Sequence, residues 1–334
     1  MFAFRQLAFL RSKYINCSTL RFNSSYTPRR ALLYVPGDDV RKISKIKEFD
    51  VDCIVLDCED GVALSKKSQA REEISAFLSS GFGNGKSEIA VRLNSIESGM
   101  FEEDLSNVVC HKYPSTIVLP KLSSPAEAKF VSFAESLQKR VPREKLKAPI
   151  NLIFISESCQ SIIRLPEICE SLVELSRKTG VFEPVAIIFG SDDLCASLGA
   201  TRTKSSNEIL YARQRMVLVA KAYGLQAIDM VHIDYKDLEG LKISSEEGAR
   251  FGYTGKQIIH PSQIDIVQKC FIPSEDKVAW ATQLLEEFAM FQSEGKGAFV
   301  FRNQMIDMPT VKQAKNILDV IRKIESIENK SSNK

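Results

Sequence analysis

Eight short apolar runs, each ending at a polar or ionisable residue, occupy the sequence between residues 31 and 260. Each run is four to six residues long and rich in Val, Ile and Leu, and the segments between runs are long enough to form helices. Runs of this kind are typical of strands that are covered on both faces. In chain order they span residues 31–34, 53–57, 89–92, 116–121, 150–155, 185–189, 227–231 and 257–260.

The alternation of strand and helix predicts an α/β protein with a parallel sheet, and eight repeats predict a closed (β/α)₈ TIM barrel. In such a barrel the catalytic groups lie just beyond the carboxyl ends of the strands. Charged and ionisable side chains accumulate at those ends, which predicts an enzyme with a single site. They are Asp57, Glu59, Asp60, Arg92, Lys121, Glu157, Asp192, Asp193 and His260.

The chain has 334 residues, whereas a barrel of this type needs roughly 250, and most of the excess lies at the two ends. We place the barrel at residues 29–272 and a C-terminal helical arm at residues 273–334. Within the arm the pattern predicts a helix from Ser274, a break at 295–297, a short strand at 298–301 and a last helix introduced by residues 305–309.

Residues 1–25 contain four basic residues and no acidic residue, together with serines and with apolar side chains at helical spacing. This composition is typical of a mitochondrial transit peptide and predicts location in the mitochondrial matrix. A plain basic tail remains the alternative interpretation. The basic residues are Arg5, Arg11, Lys13 and Arg21.

Net charge and hydropathy argue against two classes of partner. Removing the four positive charges of residues 1–25 changes the formal charge from +3 to −1, which leaves no electrostatic basis for binding nucleic acid. No apolar stretch approaches the ~18 residues that cross a membrane, so we expect no membrane partner.

None of the eight cysteines forms a Cys-x-x-Cys pair, which favours free thiols over a zinc site.

Glu157 and Asp193 follow the fifth and sixth predicted strands, so their carboxylates are expected to converge. Two carboxylates held close together repel each other and do not both stay ionised without a cation. A hard divalent ion such as Mg²⁺ resolves this repulsion. Alternatively, the two residues cap the helices that follow, or pair with Arg92 and Lys121.

Arg92 ends the third predicted strand, where its planar fork suits a substrate carboxylate or an enolate oxygen. A structural salt bridge to Asp57 or Glu59 is the alternative. The acids Asp57, Glu59 and Asp60 are candidates for holding metal-bound waters or for orienting Arg92 and Lys121.

The chain has three histidines, too few to favour a three-histidine metal site. His260 ends the eighth predicted strand, near the usual phosphate region of such barrels. Both a substrate contact and a structural role remain open for it.

Several ordered motifs follow the predicted strands or introduce the last helix, at residues 33–37, 56–62, 91–94, 157, 190–194, 256–261 and 305–309. Through them the chain resembles the citrate lyase β-subunit family of HpcH/HpaI aldolase-like proteins, and within it the mitochondrial branch. The resemblance covers residues 29–324 and implies a Mg²⁺-dependent barrel, a homotrimer, that acts on a CoA thioester. The implied reaction is reversible cleavage of citramalyl-CoA into acetyl-CoA and pyruvate, a small oxo acid.

The resemblance also implies residue roles. It makes Glu157 and Asp193 the metal ligands, Arg92 a catalytic residue that contacts substrate and enolate, and Asp307 the catalytic acid/base. Three positions depart from the family pattern, since Arg41 replaces a lysine, Ser191 a glycine and Asp192 a glutamate. The implied contacts to the CoA substrate are Tyr34, Arg41, Lys45, Arg92, Ile259 and His260.

Asp307 has apolar neighbours in the sequence, so desolvation is expected to raise its pKa into a range useful for proton transfer. From the residues alone, a helix cap before Pro309 is the alternative. The resemblance implies that the arm completes the site of a neighbouring subunit.

Two alternative functions remain for the chain. One is a malyl-CoA lyase or malate synthase-like activity, and the other is a catalytically silent CoA-binding barrel.

Overall fold

The computed structural model describes residues 27–81, 85–109, 113–122, 127–141, 146–293 and 299–332. Eight parallel strands form a closed barrel in which each strand pairs with the next along the chain and the eighth pairs with the first. The predicted (β/α)₈ barrel is therefore confirmed. The proposed transit peptide lies outside the described residues.

Strands and helices alternate around the barrel. The barrel strands are β1 (Ala31–Pro36), β2 (Cys53–Asp57), β3 (Glu88–Arg92), β4 (Thr116–Leu119), β5 (Ile150–Ser156), β6 (Phe182–Phe189), β7 (Gln226–Asp229) and β8 (Gly255–Ile258). The helices up to the end of the barrel are α1 (Val40–Ser44), α2 (Lys67–Ser80), α3 (Phe101–Val108), α4 (Glu127–Arg140), α5 (Cys159–Ile163), α6 (Leu165–Thr179), α7 (Ser191–Leu198), α8 (Leu210–Ala222), α9 (Leu238–Phe251) and α10 (Ile264–Cys270).

The strands are apolar throughout because side chains at alternate positions enter two different cores. One buried cluster draws on seven of the eight strands and on no helix, so it fills the barrel interior; Leu32 and Val55 belong to it. The neighbouring residues Leu33 and Ile54 belong to a larger cluster that also includes helix residues. Burial on both faces is what produces continuous apolar runs in the sequence.

Ion pairs lie at the amino-terminal end of the barrel. Arg29 binds both carboxylate oxygens of the buried Glu88, at 2.6 and 2.7 Å, and Asn151 donates to the same carboxylate at 3.0 Å. The charge of Arg29 and these hydrogen bonds outweigh burial and lower the pKa of Glu88. Because this is the face opposite the strand carboxyl ends, we assign the cluster to stability.

The C-terminal arm forms a small core of its own. It consists of α11 (Glu275–Ser293), the antiparallel strands β9 (Phe299–Phe301) and β10 (Gln304–Ile306), and α12 (Met308–Ser332). Ala281, Leu284, Phe299, Phe301, Val311 and Ala314 are the buried members of its core.

The predicted arm is corrected in one detail. It contains a hairpin rather than a single strand, because Arg302 and Asn303 adopt φ values of 49° and 64° and reverse the chain in two residues. Its last helix is present and reaches Ser332. The expected break at 295–297 lies outside the described residues.

Three predicted strands are too long, since the runs at 116–121, 227–231 and 257–260 continue past the ends of β4, β7 and β8. Among the residues that the structure describes, none forms a helix long and apolar enough to cross a membrane. The described cysteines are free thiols, in agreement with the sequence; they are Cys53, Cys58, Cys159, Cys169, Cys195 and Cys270.

Candidate active site

A cavity of about 520 Å³ opens at the carboxyl ends of the barrel strands. Its wall contains most of the side chains singled out from the sequence, together with several others. The charged and polar lining residues are Tyr34, Lys42, Lys45, Asp57, Arg92, Glu157, Ser191, Asp192, Asp193, Gln257 and His260. The structure thus brings the ends of β1, β2, β3, β5, β6 and β8 to one site.

Glu157 directly follows β5 and is 7% exposed. The backbone N–H of Lys121 donates to its Oε1 at 2.6 Å, and Ser161 on α5 accepts from its backbone N–H at 3.1 Å. A Cβ atom at Gly190 would lie only 2.4 Å from the Cβ of Glu157 and 2.7 Å from its Oε2. Because glycine has no side chain, Gly190 leaves room for the Glu157 side chain to pack against the turn that carries Asp193.

Asp193 lies in the first turn of α7 and lines the cavity. Burial and the nearby charge of Asp193 raise the pKa of Glu157 to about 8. The two carboxylates repel each other, as the sequence predicts, and oxygen ligands of this kind suit Mg²⁺. Within the described residues no group of three or more His, Cys, Asp and Glu side chains could hold a metal, so a cation here would take its remaining ligands from water or substrate.

Arg92 is held by two acids. Its Nε and Nη2 donate to the two carboxylate oxygens of Asp57 at 2.7 and 2.5 Å, and its Nη1 lies 2.9 Å from Oε2 of Glu59. Burial disfavours the charged guanidinium, but the charge and hydrogen bonds of Asp57 outweigh burial and raise the pKa of Arg92. The salt bridge considered as an alternative is present, yet Arg92 also faces the cavity.

Glu59 connects Arg92 with Lys121. Its Oε1 lies 2.7 Å from Nζ of Lys121, which also contacts Asp60 at 3.3 Å. Burial raises the pKa of Glu59, and the charge of Arg92 opposes this. Asp57, Glu59 and Asp60 therefore contact the two basic side chains, Arg92 and Lys121, that the sequence analysis paired with them.

Tyr34 packs under Arg92, with the guanidinium carbon 4.9 Å from the ring centre. Its hydroxyl donates to Oε1 of Gln257 at 3.1 Å, while Nε2 of Gln257 donates to the carbonyl groups of Phe189 and Asp229. Gln257 was not predicted as a site residue. Its position inside a short apolar strand was the available signal, because a buried amide needs polar partners.

Arg41 does not line the cavity, whereas Lys42 and Lys45 do. All three residues are exposed, but Lys42 and Lys45 are three residues apart and share one side of the turn. Lys42 also forms an ion pair with Asp39 at 3.1 Å. Lys42, which the sequence analysis did not name, therefore lies at the cavity where Arg41 was expected.

Ile259 and His260 line the cavity on the side of β8. The His260 ring stacks on Tyr235 with ring centres 4.8 Å apart, and its Nδ1 accepts from the backbone N–H of Ser262 at 3.2 Å. Its backbone N–H donates to Gln263 at 3.2 Å. His260 is thus oriented by its own loop and by Tyr235 while facing the site.

Asp307 does not lie at this cavity and is exposed. It caps α12, accepting from the backbone N–H and the hydroxyl of Thr310 at 3.0 and 2.7 Å. These hydrogen bonds lower the pKa of Asp307. The expectation of a raised pKa is therefore wrong within one chain, because the apolar sequence neighbours Met305 and Met308 are themselves exposed and do not bury the carboxyl.

Comparison with known proteins identifies the family of this chain. Residues 30–261 match the family described as HpcH/HpaI aldolase/citrate lyase. A mitochondrial citramalyl-CoA lyase from Homo sapiens is 46% identical over 301 residues, covering 90% of this chain and 87% of that protein. A citrate lyase subunit beta-like protein from Deinococcus radiodurans is 32% identical, covering 86% of this chain and 96% of that protein.

Among solved structures, CitE from Mycobacterium tuberculosis in complex with magnesium, acetoacetate and coenzyme A superimposes with a TM-score of 0.67. Its sequence is 28% identical, and the alignment covers 87% of this chain and 97% of that chain. Sequence and structure comparisons thus point to the same family.

Proposed function

The chain belongs to the HpcH/HpaI aldolase/citrate lyase family, and we propose that it is a Mg²⁺-dependent carbon–carbon lyase that cleaves citramalyl-CoA reversibly into acetyl-CoA and pyruvate. The observation that carries this proposal is the meeting of Glu157, Asp193 and Arg92 in one cavity of a chain so similar to a citramalyl-CoA lyase.

The donor set fits Mg²⁺. Glu157 presents Oε2 toward the turn of Asp193, and burial together with the charge of Asp193 raises the pKa of Glu157. These two residues would hold the ion. Once bound, Mg²⁺ would lower the pKa of the substrate hydroxyl and polarise the carbonyl that forms from it.

Arg92 is placed to stabilise the negative charge of the reaction. Cleavage moves the bonding electron pair into the thioester, giving an enolate, while the hydroxyl becomes the ketone of pyruvate. The proton that the hydroxyl loses balances the proton that the enolate carbon takes up to give acetyl-CoA. A guanidinium has five N–H donors, so the three contacts to Asp57 and Glu59 leave donors for a substrate oxygen. Asp57 and Tyr34 fix the plane of the Arg92 guanidinium. Its positive charge is therefore already oriented when the enolate forms, and no rearrangement of the side chain is needed.

The CoA part of the substrate would lie between β1 and β8. Lys42 and Lys45 supply positive charge for its phosphates on one side of the cavity, and Ile259 and His260 form the other side. Tyr34, below Arg92, would contact the thioester end. Arg41 would then act at longer range, through charge alone.

Asp307 is assigned as the acid that protonates the enolate carbon, acting in the site of an adjacent subunit. In support, it lies outside the cavity of its own chain and beside the exposed apolar side chains Val300, Met305 and Met308. Packing this surface over a neighbour's cavity would desolvate Asp307 and raise its pKa toward a useful range. The arm, residues 273–334, would thereby join subunits of a homotrimer.

Residues 1–25 are assigned as a mitochondrial transit peptide that delivers the enzyme to the matrix. Their basic, acid-free and Ser-containing composition supports this, as does the mitochondrial location of the human relative. The mature chain would then begin just before the barrel.

The substrate assignment is tested by comparing kcat/KM for citramalyl-CoA and malyl-CoA. The two differ by one methyl group, which is worth about 1–3 kcal/mol in an apolar pocket, so we expect a preference of roughly 10- to 200-fold for citramalyl-CoA. A preference for malyl-CoA would assign the chain to the alternative malyl-CoA lyase activity. Binding of CoA esters without turnover of either would identify a silent CoA-binding barrel.

A further inference from the structure

Arg202 joins the ends of two neighbouring barrel strands. Its Nη1 donates to both carboxylate oxygens of Asp192, at 2.7 and 2.8 Å, and its Nη2 donates to the carbonyl of Val231 at 2.6 Å. Asp192 precedes the candidate metal ligand Asp193 in the first turn of α7, and Val231 follows β7. The guanidinium therefore fixes the turn that carries Asp193 to the neighbouring strand end.

The loop that carries Arg202 is itself held in place. Glu208 accepts from the backbone N–H of Thr203 at 2.8 Å and from its hydroxyl at 2.8 Å. Ser206 then turns the chain with a φ of 54°. As a result the Arg202 side chain is only 18% exposed, although its partner Asp192 is 49% exposed.

Asp192 also presents an electrostatic problem. It lines the same cavity as Glu157 and Asp193, so a third carboxylate faces the cavity that would receive the cation. Without a counter-charge, Asp192 would add its negative charge to that of the two candidate ligands. Arg202 binds both oxygens of Asp192 and so neutralises that charge.

We propose that Arg202 is a positioning residue: it neutralises Asp192 and, by fixing the turn that carries both acids, orients Asp193 toward the cation. This inference rests on the proposed function, since it requires Glu157 and Asp193 to bind Mg²⁺. Residues that orient metal ligands change metal affinity by about 10- to 100-fold when they are replaced.

The test measures Mg²⁺ dissociation constants by calorimetry on the purified full-length protein and on Arg202→Met and Arg202→Lys. We expect Mg²⁺ binding to weaken about tenfold in Arg202→Met and to recover partly in Arg202→Lys, which keeps the charge and one point of contact. Affinity for CoA without metal should stay unchanged. The matched control is Arg140→Met, because Arg140 is also partly buried and pairs with the half-exposed Glu102, but lies at the end of α4.

A double-mutant cycle with Asp192→Asn tests whether Arg202 influences Mg²⁺ affinity through Asp192. If Arg202 acts through Asp192, replacing Arg202 in the Asp192→Asn background should cost less than threefold in Mg²⁺ affinity, compared with about tenfold in the wild type. Equal Mg²⁺ affinity in wild type and Arg202→Met, or the same loss in both backgrounds, would overturn the proposal. Absence of Mg²⁺ binding in the wild type would instead refute the metal site on which it rests.

Discussion

Asp57 binds Arg92 through both carboxylate oxygens, at 2.7 and 2.5 Å, and presents the guanidinium to the cavity. Arg92→Lys keeps the positive charge but loses the planar guanidinium that binds two oxygens at once. We expect kcat to fall by about 10²–10³ because a flexible ammonium does not stabilise the enolate in a fixed geometry. The free energy of unfolding should fall by roughly 1–3 kcal/mol, since the buried Asp57 loses one charge-assisted hydrogen bond and keeps those from the backbone N–H groups of Glu59 and Gly61. Unchanged kcat with reduced stability would limit Arg92 to a structural role.

Metal-free protein should lose stability as the pH rises. Burial and Asp193 raise the pKa of Glu157 from 4.5 to about 8, so the folded state binds a proton that the unfolded state releases. The resulting stabilisation is complete below pH 4.5 and is lost as the pH rises toward 8. Unfolding in urea with EDTA at several pH values should show this loss, and Glu157→Gln should lack it. An identical pH dependence in the variant would show that Glu157 ionises normally.

Asp307→Asn should bind CoA and Mg²⁺ nearly normally yet lose most turnover, because the amide keeps the size of the side chain and cannot transfer the proton. If Asp307 acts in an adjacent subunit, mixing this inactive variant with inactive Arg92→Ala should restore part of the activity. Mixed oligomers would then contain sites with both residues intact. Two inactive variants that exchange subunits without complementation would place the whole site within one chain.

A fusion of residues 1–25 to a fluorescent reporter should enter mitochondria, because its charge and amphipathic pattern match an import signal. Replacing Arg5, Arg11, Lys13 and Arg21 together with glutamine should abolish import and serves as the control. A reporter that stays in the cytosol with the natural sequence would contradict the proposed location.

The barrel could be predicted because its strands are buried on both faces, which leaves continuous apolar runs in the sequence. The ends of the runs were less well defined. Leu119 ends β4 and Lys121 adopts a φ of 56°, a left-handed conformation that the apolar pattern does not encode. The two-residue turn at Arg302 and Asn303 was missed for the same reason, since it lacks the glycine that usually marks such turns.

The site was predictable where a side chain ends a strand, as Arg92 does, or directly follows one, as Glu157 does, because parallel strands bring their carboxyl ends together. The site was not predictable where the direction of a side chain decides whether it reaches the cavity. Arg41 and Lys42 are adjacent basic residues of the short helix α1, and only the helix orientation shows that Lys42 lines the cavity. The environment of Asp307 depends on tertiary packing, so its apolar sequence neighbours were a misleading signal.

The most direct test of the account is the release of products from citramalyl-CoA by purified residues 26–334. In the presence of Mg²⁺ we expect pyruvate and acetyl-CoA to form in equal amounts, EDTA to stop the reaction, and added Mg²⁺ to restore it. Asp193→Asn should fold normally and stay inactive at every Mg²⁺ concentration. Cleavage that continues in EDTA, or a folded enzyme that leaves citramalyl-CoA intact in Mg²⁺, would contradict the account.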